Sequence, residues 1–162
     1  MTRPLASALL SLSLALAAAP AHAQPAAAPD VGEVRALQAQ SKSAADKKAL
    51  VGRTLELTDA EARRFWPVYD AYQRKIDATN RRYALAIQEA VLPDRPVSDA
   101  HARSLAKELG EIEDAESRAR KTMFAGAVKA LPGRKAIRYI QLENKLQSGY
   151  HFDVATSMPL IK

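Results

Sequence analysis

Few side chains in this sequence combine the type and the spacing that catalysis or metal binding requires. The chain contains no Cys and three His, of which only His101 and His151 lie beyond residue 24. These two are far apart and form no His-x-x-x-His spacing, so the sequence does not indicate a metal site. It also contains no Gly-x-Ser-x-Gly segment for a nucleophilic serine and no glycine-rich phosphate loop. We therefore expect a non-enzymatic protein that uses no cofactor.

Basic side chains between residues 63 and 82 form the clearest candidate for binding chemistry. On a helix, three of them fall within about 20° of one another, and three more follow a neighbouring line about 100° away. The six cations of this basic strip are Arg63, Arg74 and Arg81 on the first line and Arg64, Lys75 and Arg82 on the second. Such a strip beside an apolar stripe predicts a surface that attracts acidic proteins or lipid phosphates. The alternative is an ordinary solvated helix face, since Asp70 and Asp77 lie nearby.

The helix that must carry the basic strip has a clear start signal. Thr58 is followed three residues later by Glu61, which is the spacing of a capping box. In that motif the Thr hydroxyl accepts the backbone N–H of Glu61, and the Glu carboxylate accepts the backbone N–H at the cap. Leu57 stands at the hydrophobic staple position just before the cap. The sequence therefore predicts a helix that begins at Asp59 and runs to about Val91.

An aromatic cluster follows this cap. Phe65, Trp66, Tyr69 and Tyr72 fall within eight residues, and each such ring buries on the order of 150–250 Å². We expect this cluster to form core rather than a ligand-binding box, because it follows the helical period. Pro67 lies inside the stripe, where it removes one helical hydrogen bond. The apolar stripe continues in phase beyond Pro67, which favours a kinked helix over a break into two.

The chain as a whole favours an all-α fold, because it has only six Gly and shows no strand-like alternation. Four helices are predicted, over residues 31–55, 59–91, 99–131 and 133–146. Ser98 is the expected N-cap of the third, and Pro132 separates the third from the fourth. The polar middle of the first predicts fraying, and Gly149 either ends the fourth or is carried through it. Residues 149–162 form an apolar tail, which we expect to dock.

The N-terminal residues have the layout of a secretory signal peptide. Arg3 precedes an apolar run over residues 5–19, and Ala21-His22-Ala23 forms a small-x-small cleavage site. The alternative is an uncleaved membrane anchor, but the run is shorter than the roughly 20 residues that a spanning helix needs. The sequence therefore predicts cleavage after Ala23 and a periplasmic protein without an integral membrane span. A Pro/Ala-rich and polar, partly disordered linker is expected over residues 24–43, followed by a helical domain over residues 44–148.

The charge of the chain narrows the class of partner. The formal net charge is +6, and loss of Arg3 with the signal peptide leaves +5. In an exported protein this balance indicates acidic proteins, lipid phosphates or other anionic envelope material rather than nucleic acid. No Cys is present, so the exported chain must be held together by packing alone.

The Leu57-Thr58-x-x-Glu61 opening of a long helix, in a small basic Cys-free chain, resembles a known motif. It is similar to the Leu-Thr-x-x-Gln motif of the Spy/CpxP-like periplasmic proteins, over roughly residues 50–146. That group includes periplasmic chaperones, inhibitors of envelope-stress sensor kinases and zinc-resistance-associated proteins. Glu61 stands where the family has Gln, and residues 131–135 occupy the place of the second motif without its Thr and Gln.

The resemblance implies a fold and three functional alternatives. The fold is a curved, four-helix, antiparallel, hairpin-like protomer that forms a homodimer with a basic concave surface. The first function is that of a chaperone or envelope-stress adaptor that binds unfolded or envelope proteins. The second is that of an inhibitory ligand for the periplasmic domain of a membrane sensor kinase. The third and weakest is a zinc-binding metal-resistance protein, for which His101 and His151 offer few ligands.

Overall fold

A computed structural model describes residues 31–91, 97–158 and 160, and every regular element in these ranges is an α-helix. The all-α class predicted from the sequence is confirmed. The signal peptide predicted over residues 1–23 and the first part of the linker lie outside the described residues. The described chain contains five helices rather than four: α1 (Val31–Ala39), α2 (Ala44–Leu55), α3 (Asp59–Val91), α4 (Asp99–Ala130) and α5 (Gly133–Ser157).

The additional helix arises because the segment 31–55 is divided. The Ser43 hydroxyl accepts the backbone N–H of Asp46 at 3.1 Å and donates to the Asp46 carboxylate at 2.7 Å. Ser43 is therefore an N-cap that starts α2 inside the polar stretch, and the prediction of one helix from 31 to 55 is wrong. Residues 31–39, which the sequence assigned to the linker, form α1.

The last helix is longer than predicted. Rather than ending near residue 146, α5 passes through Gly149 and continues to Ser157, so most of the predicted tail is helical. A Cβ built on Gly149 would lie 2.5 Å from the Gln38 side chain of α1. The Gln38 side chain therefore lies directly against Gly149, and a larger residue there would require this flexible side chain to move. Gly149 lies within α5 and does not end it.

The two longest helices, α3 and α4, pack against each other as the central pair. They have 33 and 32 residues and are each about 50 Å long. The α4 backbone lies directly against the Val68 side chain of α3 at Gly126, where an added Cβ would lie 2.5 Å from a Val68 methyl group. Helix α3 runs without interruption through Pro67, so a break into two helices is excluded. Pro67 is exposed, which leaves the carbonyl that loses its partner near solvent.

The core lies where α2 and α5 pack onto this pair. Phe65 and Tyr139 are fully buried, and their rings meet edge to face with centroids 4.8 Å apart. The aromatic cluster predicted from the sequence is therefore core. Helix α2 contributes Leu50, Val51 and Leu55 to the same cluster.

The start of α3 is fastened to α5 as well as capped. The Glu61 carboxylate accepts the Thr58 N–H at 2.8 Å, and the Thr58 hydroxyl accepts the Glu61 N–H at 3.3 Å. Lys135 Nζ donates to the same Glu61 carboxylate at 2.8 Å and to the Glu56 carbonyl at 2.7 Å. Leu57 packs partly buried against the core, as its staple position predicts. None of the described helices is both long and apolar enough to cross a membrane.

Candidate binding surface on helix α3

Four of the six predicted cations form an exposed basic face on α3. Arg63, Arg74, Lys75 and Arg81 are exposed, and they make no hydrogen bond or ion pair with another described residue. The three arginines lie about 180° around the helix from the side that buries Phe65 and the other core residues. We call these four side chains the exposed basic face. From Arg63 to Arg81 it extends about 27 Å along the helix axis.

The other two predicted cations are used inside the fold. Arg64 Nε donates to the Ala130 carbonyl at 3.3 Å and so satisfies the C-terminal end of α4. Arg82 forms a bidentate pair with Glu108 at 2.9 and 3.0 Å. The Arg82 hydrogen bond lowers the pKa of Glu108, and the Glu108 hydrogen bond raises the pKa of Arg82. These two residues join α3 to α4 although both remain exposed, and their place in a partner surface stays a prediction.

Nearby acidic side chains neutralise the exposed basic face less than the sequence suggests. Asp70 accepts two hydrogen bonds from Lys48 of α2, at 2.8 and 2.9 Å, and is thereby already paired. Asp77 is exposed and remains the nearest unpaired carboxylate among the described residues. An exposed apolar side chain, Leu85, lies one turn beyond Arg81 with 59 % of its surface accessible. The face therefore offers positive charge with an apolar group at one end.

A groove opens beside the exposed basic face, between α2, α3 and the second half of α5. It has a volume of about 730 Å³, which is in the usual range of ligand sites. Arg74 lies at its edge, so the groove and the basic face share one residue. Lys42, just before α2, and Lys47 of α2 line one side, and Gln73 and Asp77 line it from α3. We call this cavity the α2–α3 groove.

Lys47, which lines the α2–α3 groove, forms an ion pair with the buried Glu143 of α5. Lys47 Nζ donates to Glu143 at 2.8 Å and to the Gln73 side-chain oxygen at 3.1 Å. Only 1 % of the Glu143 side chain is exposed, against 17 % of the Lys47 side chain. The sequence did not predict this ion pair, because Lys47 and Glu143 are 96 residues apart. The one available signal was a carboxylate between Leu142 and Leu146 on the apolar face of α5.

Three tyrosines surround this ion pair and stay protonated. Burial raises the pKa of Tyr69, Tyr72 and Tyr139, and the negative charge of Glu143 raises each further. Gln147 donates to the Tyr72 hydroxyl at 3.3 Å and partly offsets the shift. Phenols held in this form supply hydrogen-bonding groups, and none of the three is prepared to act as a base.

The two histidines that lie beyond residue 24 are not brought together. His151 of α5 lies 3.5 Å from the Glu116 carboxylate of α4, which also pairs with Arg120 at 4.0 Å. His101 lies near the start of α4. In the described part of the chain, no three His, Asp or Glu side chains are grouped as a metal site would require.

Comparison of the chain with protein-family models, with curated proteins and with solved structures finds no match.

Proposed function

We propose that this protein is an exported, non-enzymatic binding protein of the bacterial periplasm, of the Spy/CpxP-like type. In this role it acts as a chaperone or envelope-stress adaptor and holds unfolded or envelope proteins against the exposed basic face, as a homodimer. The proposal rests on four cations of α3 that the fold leaves exposed and without partners among the described residues, three of them on one line of the helix. The signal-like N-terminus supports the compartment, and the resemblance at Leu57-Thr58-x-x-Glu61 supports the type.

The physical basis is long-range attraction followed by weak contact. Exposed cations raise the rate at which an acidic or partly unfolded protein reaches the surface, and salt screens this effect over about 8 Å at physiological ionic strength. The exposed Leu85 provides an apolar contact once the partner has arrived. Contacts of this kind are individually weak, which suits a protein that must release what it holds.

The test is suppression of aggregation of an unrelated, chemically unfolded protein by the mature chain at low salt. The test variant carries Arg74→Glu, Lys75→Glu and Arg81→Glu on the exposed basic face. The matched control carries Lys129→Glu, Arg134→Glu and Arg138→Glu, which reverse three exposed cations at the junction of α4 and α5. Both variants have the same net charge, so any difference between them reports position rather than total charge.

We expect the wild type and the control to protect, and the test variant to lose most protection while keeping its helicity. Protection should also fall as salt is added. Equal loss in both variants would show a general charge effect and would contradict the proposed surface. Absence of protection by the wild type at several-fold molar excess would contradict a general chaperone and favour a dedicated folded partner, such as a sensor-kinase domain.

A further inference from the structure

The chain reversal between α4 and α5 carries positive charge and no carboxylate. Residues 117–142, which form the C-terminal part of α4 and the N-terminal part of α5, contain seven Lys and Arg and no Asp or Glu. Three of the seven bind acceptors within the described structure: Arg118, Arg120 and Lys135. The other four are exposed and make no hydrogen bond or ion pair with another described residue: Lys121, Lys129, Arg134 and Arg138.

Exposed apolar side chains lie among these four cations. Val128 is in the last turn of α4, with 61 % of its surface exposed, and Ile137 is in the second turn of α5, with 53 % exposed. The hydrogen bond from Arg120 to Asn144 shows which sides of α4 and α5 meet. Phe124 and Val128 follow Arg120 at intervals of four residues, and Ile137 lies within about 20° of Asn144 around α5. The two exposed apolar side chains therefore lie on the same outer side of the α4–α5 pair.

We call the two apolar side chains and the four cations the hairpin patch: Val128, Ile137, Lys121, Lys129, Arg134 and Arg138. Exposed aliphatic groups flanked by lysine and arginine are typical of segments that lie in the interface of an anionic bilayer. The stems of such cations lie along apolar surface while their charged ends reach phosphate oxygens. The exposed basic face on α3 lacks this combination, because Leu85 lies at one end of it and Asp77 lies nearby.

The position of the hairpin patch favours a bilayer over an acidic protein. Pro132 and Gly133 are exposed between its two apolar residues, so the patch surrounds a chain reversal. A fluid bilayer adapts to such an end, whereas a protein partner needs a surface of matching shape.

The adjoining α2–α3 turn does not cancel the positive charge at this end of the molecule. The turn lies beside the patch, because Lys135 of α5 donates to the Glu56 carbonyl. It adds the exposed carboxylates Glu56 and Asp59, and it also adds the exposed cations Arg53 and Arg63. The surplus of the hairpin patch therefore remains available to an anionic surface.

We infer that the hairpin patch docks on a lipid bilayer that carries anionic headgroups. The four cations donate to phosphate oxygens, and Val128 and Ile137 enter the boundary between headgroups and acyl chains. The inference goes beyond the proposed function and does not rest on it, since both the surface and the partner differ. Each cation near an anionic bilayer strengthens binding about fivefold, so four predict half-maximal binding at about 1 mM accessible lipid. Binding of this strength is reversible.

The first test is co-sedimentation of the mature chain with lipid vesicles at about 100 mM salt. One set of vesicles is phosphatidylcholine alone, and the other contains phosphatidylglycerol in about one third of its lipids. We expect binding to the anionic vesicles, weakened about 25-fold in Arg134→Gln with Arg138→Gln. The matched control, Arg74→Gln with Arg81→Gln on the exposed basic face, removes the same charge and should change binding less than about twofold.

The second test distinguishes insertion from adsorption by charge alone. The chain has no Cys, so Val128→Cys places an environment-sensitive fluorophore at one position of the patch. The control label is at Ala78→Cys, an exposed position of α3. We expect a blue shift on addition of anionic vesicles for the label at residue 128 and none for the label at residue 78. Replacement of both apolar residues, Val128→Ser with Ile137→Ser, should weaken binding at least about fivefold.

Several results would overturn the inference. Equal binding to neutral and anionic vesicles would contradict the role of the headgroups, and equal loss in the two Arg→Gln variants would reduce the effect to total charge. An unshifted label at residue 128 would contradict insertion. Absence of vesicle binding, together with capture of polyglutamate that depends on Arg134 and Arg138, would assign an acidic protein to the patch. All of the substituted residues are exposed, and retained helicity checks that each variant is folded.

The two proposals can fail separately. Vesicle binding without suppression of aggregation would contradict the chaperone function and leave a protein held at the membrane surface. Suppression of aggregation without vesicle binding would contradict the docking of the hairpin patch and leave the exposed basic face on α3.

Discussion

Replacing Lys47 by methionine removes the only cation that pairs with the buried Glu143 in the described structure. At the observed separation of 2.8 Å and an effective dielectric constant of about 20, the attraction between the two charges is about 6 kcal/mol. Much of it offsets the desolvation of both groups. Removal of one partner leaves an uncompensated buried charge, so we expect Lys47→Met to lower the free energy of unfolding by about 3–5 kcal/mol.

The chain provides a matched control in the next residue. Lys48 pairs with Asp70 at the same distance of 2.8 Å, but both of these side chains are about 40 % exposed. Lys48 also lies over the Trp66 ring, 5.0 Å from its centroid. Water screens such a pair, so Lys48→Met should cost no more than about 1–2 kcal/mol. Both substitutions replace a lysine of α2 by methionine and remove one positive charge. A difference between their effects on stability therefore reports the burial of the ion pair rather than the loss of charge.

The assay is urea unfolding at neutral pH, followed by circular dichroism. The double variant Lys47→Met with Glu143→Leu removes both charges, and we expect its stability to lie within about 1.5 kcal/mol of the wild type. A loss below about 1 kcal/mol for Lys47→Met, or equal losses for Lys47→Met and Lys48→Met, would refute the reasoning. Additive losses in the double variant would show that the two groups do not interact.

Two further outcomes follow from packing and from titration. Gly126→Ala should lower stability by about 1–3 kcal/mol, because its Cβ would meet Val68 at 2.5 Å. Thermal unfolding of Gly126→Ala combined with Val68→Ala should show recovery, and no recovery would contradict the close contact. The Lys135 hydrogen bond lowers the pKa of Glu61 from 4.5. The stability that the contact between Glu61 and Lys135 contributes is therefore present above pH 4.5, and it is lost as pH falls through the lowered pKa of Glu61. Glu61→Gln should therefore be less stable than the wild type at pH 7, with a difference that shrinks in acid; a difference independent of pH would contradict this.

The elements that could be predicted from the sequence are those whose signals are local. The capping box predicted the start of α3 at Asp59, and both of its hydrogen bonds are present. Ser98 caps α4 by accepting the His101 N–H at 3.3 Å. In each case the hydroxyl and the backbone group that it contacts are three residues apart, so the pattern contains the whole interaction.

The elements that could not be predicted depend on partners far away in sequence. In the sequence, Arg64 and Arg82 could not be distinguished from the other cations of the basic strip. Their acceptors, Ala130 and Glu108, are 66 and 26 residues away. Helical periodicity places such side chains on a face and does not show whether another helix uses them. The α2–α3 groove could not be predicted for the same reason. Its walls come from separate helices, and their relative positions are set only in the folded chain.

The attachment of α1 gives the molecule two levels of stability. Helix α1 buries none of its residues fully, and only its Leu37 packs partly buried against the core cluster among the described residues. Its other contacts with α5 include the surface pairs Arg35 with Asp153 and Lys145 with Glu33. Exposed pairs contribute up to about 1 kcal/mol each and weaken with salt. We therefore expect local opening of α1 to require less free energy than global unfolding, so that its amides exchange with solvent while the core stays closed. Because Gln38 of α1 lines the α2–α3 groove, we expect opening of α1 to remove part of the lining of that groove, and to do so more often as salt is added.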